Sequence, residues 1–442
     1  MVPAALLGVV LLSYGLWIPW WGLFGNDLPY LWYFHLLGPM GPGEFAAMDR
    51  PVSALFYAAV SLAFGENVWA YHALLLALRW LSAVLLWWVL KIVWPERTQE
   101  AALAAALFAV YPGFRQNPIA LEFILHFAVL DLFLFSLGAT LLATRRPSRY
   151  IPLAVGAALG AAGLFFLEYF IGLEILRPVF LWIITRQQGL TDRRRWGRLL
   201  KAWLPALIVV ALFLFWRVVI FSFPTYKPVL LDELRANPIP ALGALAGRIY
   251  QDLLTALGGA WRQVFSAPAG RRQFLVFAGL AATGAAVTVF AMRFSHQGNS
   301  NRRGGPVPAA ARSSRTRLWG EAVVGIGLLA MLAGGSVFWV TGIPVSLDFP
   351  WDRSTLSFML GASLVVTGLF EMLVVPRYRP ALAAVLVGLA IGLHFQNALE
   401  YRAEWQKLQK FYWQLTWRVP GLEPGTLILF DVIPLNRYSD SD

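Results

Sequence analysis

The chain has 442 residues, of which 58% are hydrophobic and only 14% charged, with a mean hydropathy of +0.61. Soluble domains average about 25% charged residues, so this composition excludes an ordinary globular protein and marks an integral membrane one. The formal charge of +12 does not point to nucleic acid, because the basic residues cluster between apolar runs, and the absence of cysteine excludes disulfides, thiolate metal sites and a cysteine nucleophile.

The first apolar run, 4–24, lacks a basic leader and a small-residue cleavage site, so it reads as a retained span. A polar loop, 25–67, follows. It holds Gly25-Asn26-Asp27, then Asp49-Arg50-Pro51, then an apolar stretch, 51–65, that is too short to cross and predicts a helix lying along the interface. Further spans are predicted at 68–92, 100–113, 119–143, 150–167, 170–186, 200–221, 273–293, 319–342, 354–375 and 380–396, which makes eleven. Segment 100–113 is the shortest of them. Loop 222–272 contains an amphipathic stretch from Leu242 to Val264, predicted to be a second interfacial helix. Loop 294–318, rich in Arg, Pro and Ala, predicts disorder. The tail, 397–442, starts with a helical pattern from Asn397 to Trp417 and ends in a turn and a strand, Thr426 to Phe430. The sequence therefore divides into a membrane domain, 1–396, and an outer tail, 397–442.

Lysine and arginine set the orientation. Arg97, the groups 145–149, 186–201 and 302–317, and Arg377 with Arg379 all fall on one side when the N-terminus is cytoplasmic. The tail and the loop 25–67 then face outward. The pattern predicts an all-α polytopic protein of the plasma or inner membrane.

The candidate site residues lie at outer ends of spans. Asp27 is the first candidate for a general base; otherwise it is a solvated loop acid. Asp49 is the second; otherwise it precedes Pro51 as a helix cap. Arg50, Arg115, Gln116, Arg217 and Arg353 could hold a phosphate, since the arginine fork grips two oxygens at once. Each could instead be an interfacial anchor. Glu168 with Tyr169 is a costly acid at a span end, which makes it a functional suspect. Glu122 and His126 are four apart on one helix face and could contribute to a divalent metal site, or form a hydrogen-bonded pair. Glu174 and Arg177 read as a structural pair, and Asp131 as a bundle-facing hydrogen-bond partner. No phosphate loop, no H-E-x-x-H and no G-x-S-x-G occurs.

Several runs carry a resemblance: Arg50-Pro51-Val52, Leu62-Ala63-Phe64-Gly65, Tyr71-His72-Ala73-Leu74, the small-residue run Ala101 to Val110, and Tyr111-Pro112-Gly113-Phe114. In this order they resemble the GT-C superfamily of polyprenyl-phosphate-dependent glycosyltransferases over about residues 1–190. That family includes protein O-mannosyltransferases and aminoarabinose transferases. The resemblance implies a sugar moved from a polyprenyl-phosphate donor at the outer face, with Asp27 as base. The Asn26-Asp27 pair departs from the two acids or Gly-Asp of many relatives, which leaves the metal requirement open. The alternatives are a lipid or solute transporter and a non-catalytic subunit of a membrane complex. A transporter is expected to show inverted repeats and broken helices, and the sequence shows neither.

Overall fold

The computed structural model describes residues 1–145, 151–221, 227–266, 268, 270–300, 309–423 and 425–427, and the side chains of these apart from 290–300 and 309–315. Among the described residues there is no β-strand. The helices are α1 Val2–Val10, α2 Asp27–Leu37, α3 Gly41–Ala47, α4 Ser53–Phe64, α5 Val68–Val93, α6 Thr98–Ala109, α7 Ala120–Arg145, α8 Ile151–Phe166, α9 Leu176–Gln187, α10 Asp192–Phe215, α11 Val229–Ala236, α12 Pro238–Leu254, the single turn α13 Ala260–Arg262, α14 Arg271–Ser300, α15 Ala309–Thr341, α16 Met359–Leu373 and α17 Arg379–Arg418. Short π- and 3₁₀-turns extend α1 to Trp20 and α10 to Ile220, and lead into α9 and α16.

Among the described residues, eight helical stretches are long and apolar enough to cross a bilayer: Val2–Trp20, Val68–Val93, Ala120–Arg145, Asp192–Ile220, Arg271–Val289, Thr316–Thr341, Trp351–Leu373 and Arg379–Arg418. The chain is thus an all-α multi-pass membrane protein. The remaining expected spans coincide with shorter helices: α6 has 12 residues, α8 has 16 and α9 has 12.

Contacts order these helices between two ends of a bundle. Arg145, closing α7, donates to the Ile92 and Val93 carbonyls that close α5 (2.6 and 3.1 Å), so α5 and α7 end together. The return between them is made by α6 and the non-helical residues 110–119. Similarly, Gly156 on α8 lies against Ser136 and Thr140, and Gly163 against Val129 and Leu132, so α8 runs back along α7. Helices α15 and α16 pack closely. A Cβ at Gly327 or Gly361 would come within 2.7 or 2.5 Å of the other's backbone oxygen, and Gly320 faces Gly368 in the same way. Without a hydrophobic driving force in lipid, such backbone proximity lets dispersion and Cα–H contacts hold helices together.

The structure corrects the sequence reading in three places. Helix α17 runs unbroken through position 397, so the last span and the expected tail helix are one 40-residue element. No proline interrupts it after Pro380, and Trp21, Phe24 and Gly22 pack on its middle, with Trp405 filling the space over Gly22. Residues 294–300 and 309–318, expected to be disordered, are helical, because a span already nucleated gains one hydrogen bond per added residue. Helix α6 stops at Ala109 instead of reaching 113, since Pro112 cannot supply the amide the next turn needs. The expected strand, 426–430, lies largely outside the described residues.

Candidate functional site

The loop after the first span folds into α2, α3 and α4, not an open loop. Gly25 takes a positive φ of +49°, which turns the chain so that Asp27 opens α2 from beneath. Asp27 is completely buried. Its two carboxylate oxygens accept the amides of Ala120 (2.8 Å) and Glu122 (3.1 Å) at the start of α7. These are amides a helix cannot satisfy within itself, and the positive end of the helix dipole favours an anion there. Burial raises the Asp27 pKa well above the ordinary carboxylate value, against the pull of those amides.

Around this cap lie two ion pairs. Arg50 grips Glu168 with two bonds, Nε to Oε2 at 3.3 Å and Nη2 to Oε1 at 3.0 Å. Burial alone would raise the Glu168 pKa; Arg50, with a smaller effect from Arg217, outweighs it and holds the carboxyl below its ordinary range. Arg353 lies 3.7 Å from Glu122. Tyr169 donates to the Arg353 carbonyl at 2.6 Å and meets the His126 ring edge-on at 5.0 Å. The Tyr57 hydroxyl donates to the Glu122 carbonyl (3.4 Å), and its ring stacks on Tyr30 at 4.4 Å. Burial raises the pKa of both phenols. Asp27, Arg50, Glu122, His126, Glu168, Tyr169, Arg217 and Arg353 are thereby brought into one neighbourhood.

Arg115 and Gln116 have other partners. The Arg115 guanidinium donates to the Leu347 carbonyl (2.6 Å), its amide to Asp352 (2.9 Å), and its carbonyl accepts from Asn397 (2.6 Å). Gln116 donates to Asp352 and to the Pro350 carbonyl. These contacts form a clasp that ties residues 110–119 to the residues leading into α16 and to α17. Asp49 is half-buried; α4 begins at Ser53, and its N-cap position is Val52, which has no side-chain cap. The expected structural pair Glu174–Arg177 forms at 2.7 Å, and Asp131 accepts from Ser82.

Both Asp27 oxygens take amides, Glu122 faces Arg353, and His126 Nδ1 pairs with the Glu122 carbonyl at 3.0 Å. Among the described residues no three His, Asp or Glu side chains are grouped as a metal would require. Among the described residues, one small apolar cleft is lined by Trp94, Arg97 and Trp319 and another by Leu6, Val9 and Leu103; neither is lined by a residue of this neighbourhood.

The sequence reading overlooked Tyr30, Tyr57 and Arg79. Arg79 had a signal: an arginine in the middle of an apolar run is costly in a bilayer and needs a reason. The two tyrosines had none, since aromatic residues are frequent in this chain. No family model, curated protein or solved structure matches the chain.

Proposed function

We propose that this chain is a membrane glycosyltransferase of the GT-C kind, moving a sugar from a polyprenyl-phosphate donor to an acceptor at the outer face. One observation carries the reading: three carboxylates and three arginines from five separate stretches of chain meet beneath short helices. Those helices leave Trp32, Leu36, Leu37, Leu55 and Leu62 exposed, as helices bedded in a lipid interface would. The reading includes eleven crossings, with α6, α8 and α9 completing the return paths, and a cytoplasmic N-terminus.

In this reaction the acceptor hydroxyl attacks the anomeric carbon, the carbon–oxygen bond to phosphate breaks, and the lipid phosphate leaves with the electron pair. Asp27 takes the hydroxyl proton; a carboxylate with a raised pKa is suited to that role. Arg50, Arg217 and Arg353 oppose the charge that grows on the phosphate.

A second reading draws on the complete burial of Asp27 and the break after α6. In it Asp27 only caps α7, and the protein is a transporter or a non-catalytic subunit. Mass spectrometry of lipids co-purified with the detergent-extracted protein separates the two. Polyprenyl phosphate or its glycoside, together with sugar transfer lost in Asp27→Asn, is expected. Absence of both from active membranes would favour the second reading.

A further inference from the structure

Helix α6 spans only about 18 Å at 1.5 Å per residue, so it ends inside the bundle with free carbonyls and ten non-helical residues ahead. Such backbone is tolerated at membrane depth only where protein groups satisfy it. Arg79 on α5, completely buried, reaches both ends of that segment. Its Nε donates to the Ala109 carbonyl and its Nη1 to Asn117 Oδ1, each at 3.1 Å. Tyr14 also donates to Ala109 (3.1 Å), and its ring lies 4.0 Å beneath the guanidinium. His394 Nε2 meets the Val110 carbonyl at 3.1 Å. No carboxylate pairs with Arg79 among the described residues. Its counter-charge is the negative end of the α6 dipole and the faces of Tyr14, Phe114 and Phe127.

We infer that Arg79 is a positioning residue for the site: by bridging Ala109 to Asn117 it fixes residues 110–119, which deliver the Asp352 clasp and the α7 amides that hold Asp27. The inference deepens the proposed function and rests on it for the word "site". The bridge is specific to arginine, because one fork meets two acceptors and a lysine ammonium on a flexible stem cannot hold both.

The chain has no cysteine, so a single introduced thiol reports cleanly. Ala120→Cys places one where residues 110–119 meet α7, and Ala101→Cys places one at the far end of α6; both positions are buried. Maleimide labelling of each would be timed in the full-length detergent-solubilised protein, with Arg79 intact, Arg79→Lys or Arg79→Met. Expected is a rise of about tenfold or more at position 120 in Arg79→Met, a smaller rise in Arg79→Lys, and no change at position 101. Asn117→Ala, which removes the other half of the bridge, should raise labelling at 120 as well. Equal rises at both positions would mean general loosening and would overturn the inference, as would no rise at 120. If Arg79→Met fails to fold, Arg79→Lys and Asn117→Ala decide alone. In the transfer assay Arg79→Lys should lower kcat more than it raises KM. If wild-type protein shows no transfer, the proposed function fails while the labelling result still decides the role of Arg79.

Discussion

At Asp27 burial and two backbone amides act on the carboxylate in opposite senses, and at Glu168 burial is opposed by Arg50. The net results differ in sign, and this gives a pH test. Glu168 titrates near 4.5 when unfolded and lower when folded, so its stabilisation is present above 4.5 and disappears as pH falls through the folded value. Asp27 titrates near 3.8 when unfolded and higher when folded, so its charge costs stability as pH rises past 3.8. Melting curves from below pH 4.5 up to neutral pH should show the advantage of wild type over Glu168→Gln growing until about pH 4.5 and staying level above it. The advantage over Asp27→Asn should shrink. Parallel curves for the two variants would contradict the opposed shifts. Asp27→Asn should also lower transfer by about 10²–10⁴ if Asp27 is the base. Asn offers one carbonyl oxygen where the carboxylate serves two amides, so a melting loss of about 1–2 kcal/mol accompanies it. Activity and stability must therefore be read separately. Removing Arg50 with Arg50→Met strands a buried acid. The expected cost is about 2–3 kcal/mol, below that of a fully buried pair because the two side chains keep 21% and 18% exposure.

Among elements, the α15–α16 contact shows what a sequence reveals only in part. Gly320, Gly327 and Gly334 recur every seven residues on α15, as do Gly361 and Gly368 on α16, and these put small residues on one face of each helix. The spacing is visible in the chain, but which helix lies opposite is not. Gly325, two residues from Gly327, faces open space. Gly327→Val should cost about 1–3 kcal/mol through overpacking, whereas Gly325→Val should change melting little. Similar losses in both would mean the close approach is absent. The same division holds elsewhere. The polar loop with Asp27, Asp49 and Arg50 and the long apolar runs were legible because hydropathy and length mark them. That Arg115 spends its guanidinium on a carbonyl was not legible, because Leu347 lies far along the chain. The interior end of α6 was signalled by Tyr111-Pro112-Gly113, but its remedy, Arg79, comes from a different helix.

For the whole molecule, the path from end to end of the bundle determines where the proposed chemistry lies. The basic clusters near Arg97, Arg145 and Arg193–Arg195 belong to one end, and Asp27, Arg50, Glu168 and Arg353 to the other. Arg145 donates to Gln187 and Arg198 to Gln188, so α7, α9 and α10 share the basic end. Helix α17 starts there, with Arg379 on Glu371, and passes Asn397 at the acidic end before continuing to Arg418. If basic residues stay cytoplasmic, the segment beyond α17 is outside. Single thiols introduced by Arg194→Cys and Leu422→Cys, both at exposed positions, test this in intact cells with an impermeant maleimide. The expected result is labelling at 422 and none at 194 until the membrane is opened. Labelling at 194 alone would invert the bundle and move the Asp27 neighbourhood to the cytoplasmic face. There a polyprenyl-phosphate donor could still bind, but transfer to an outer acceptor could not occur.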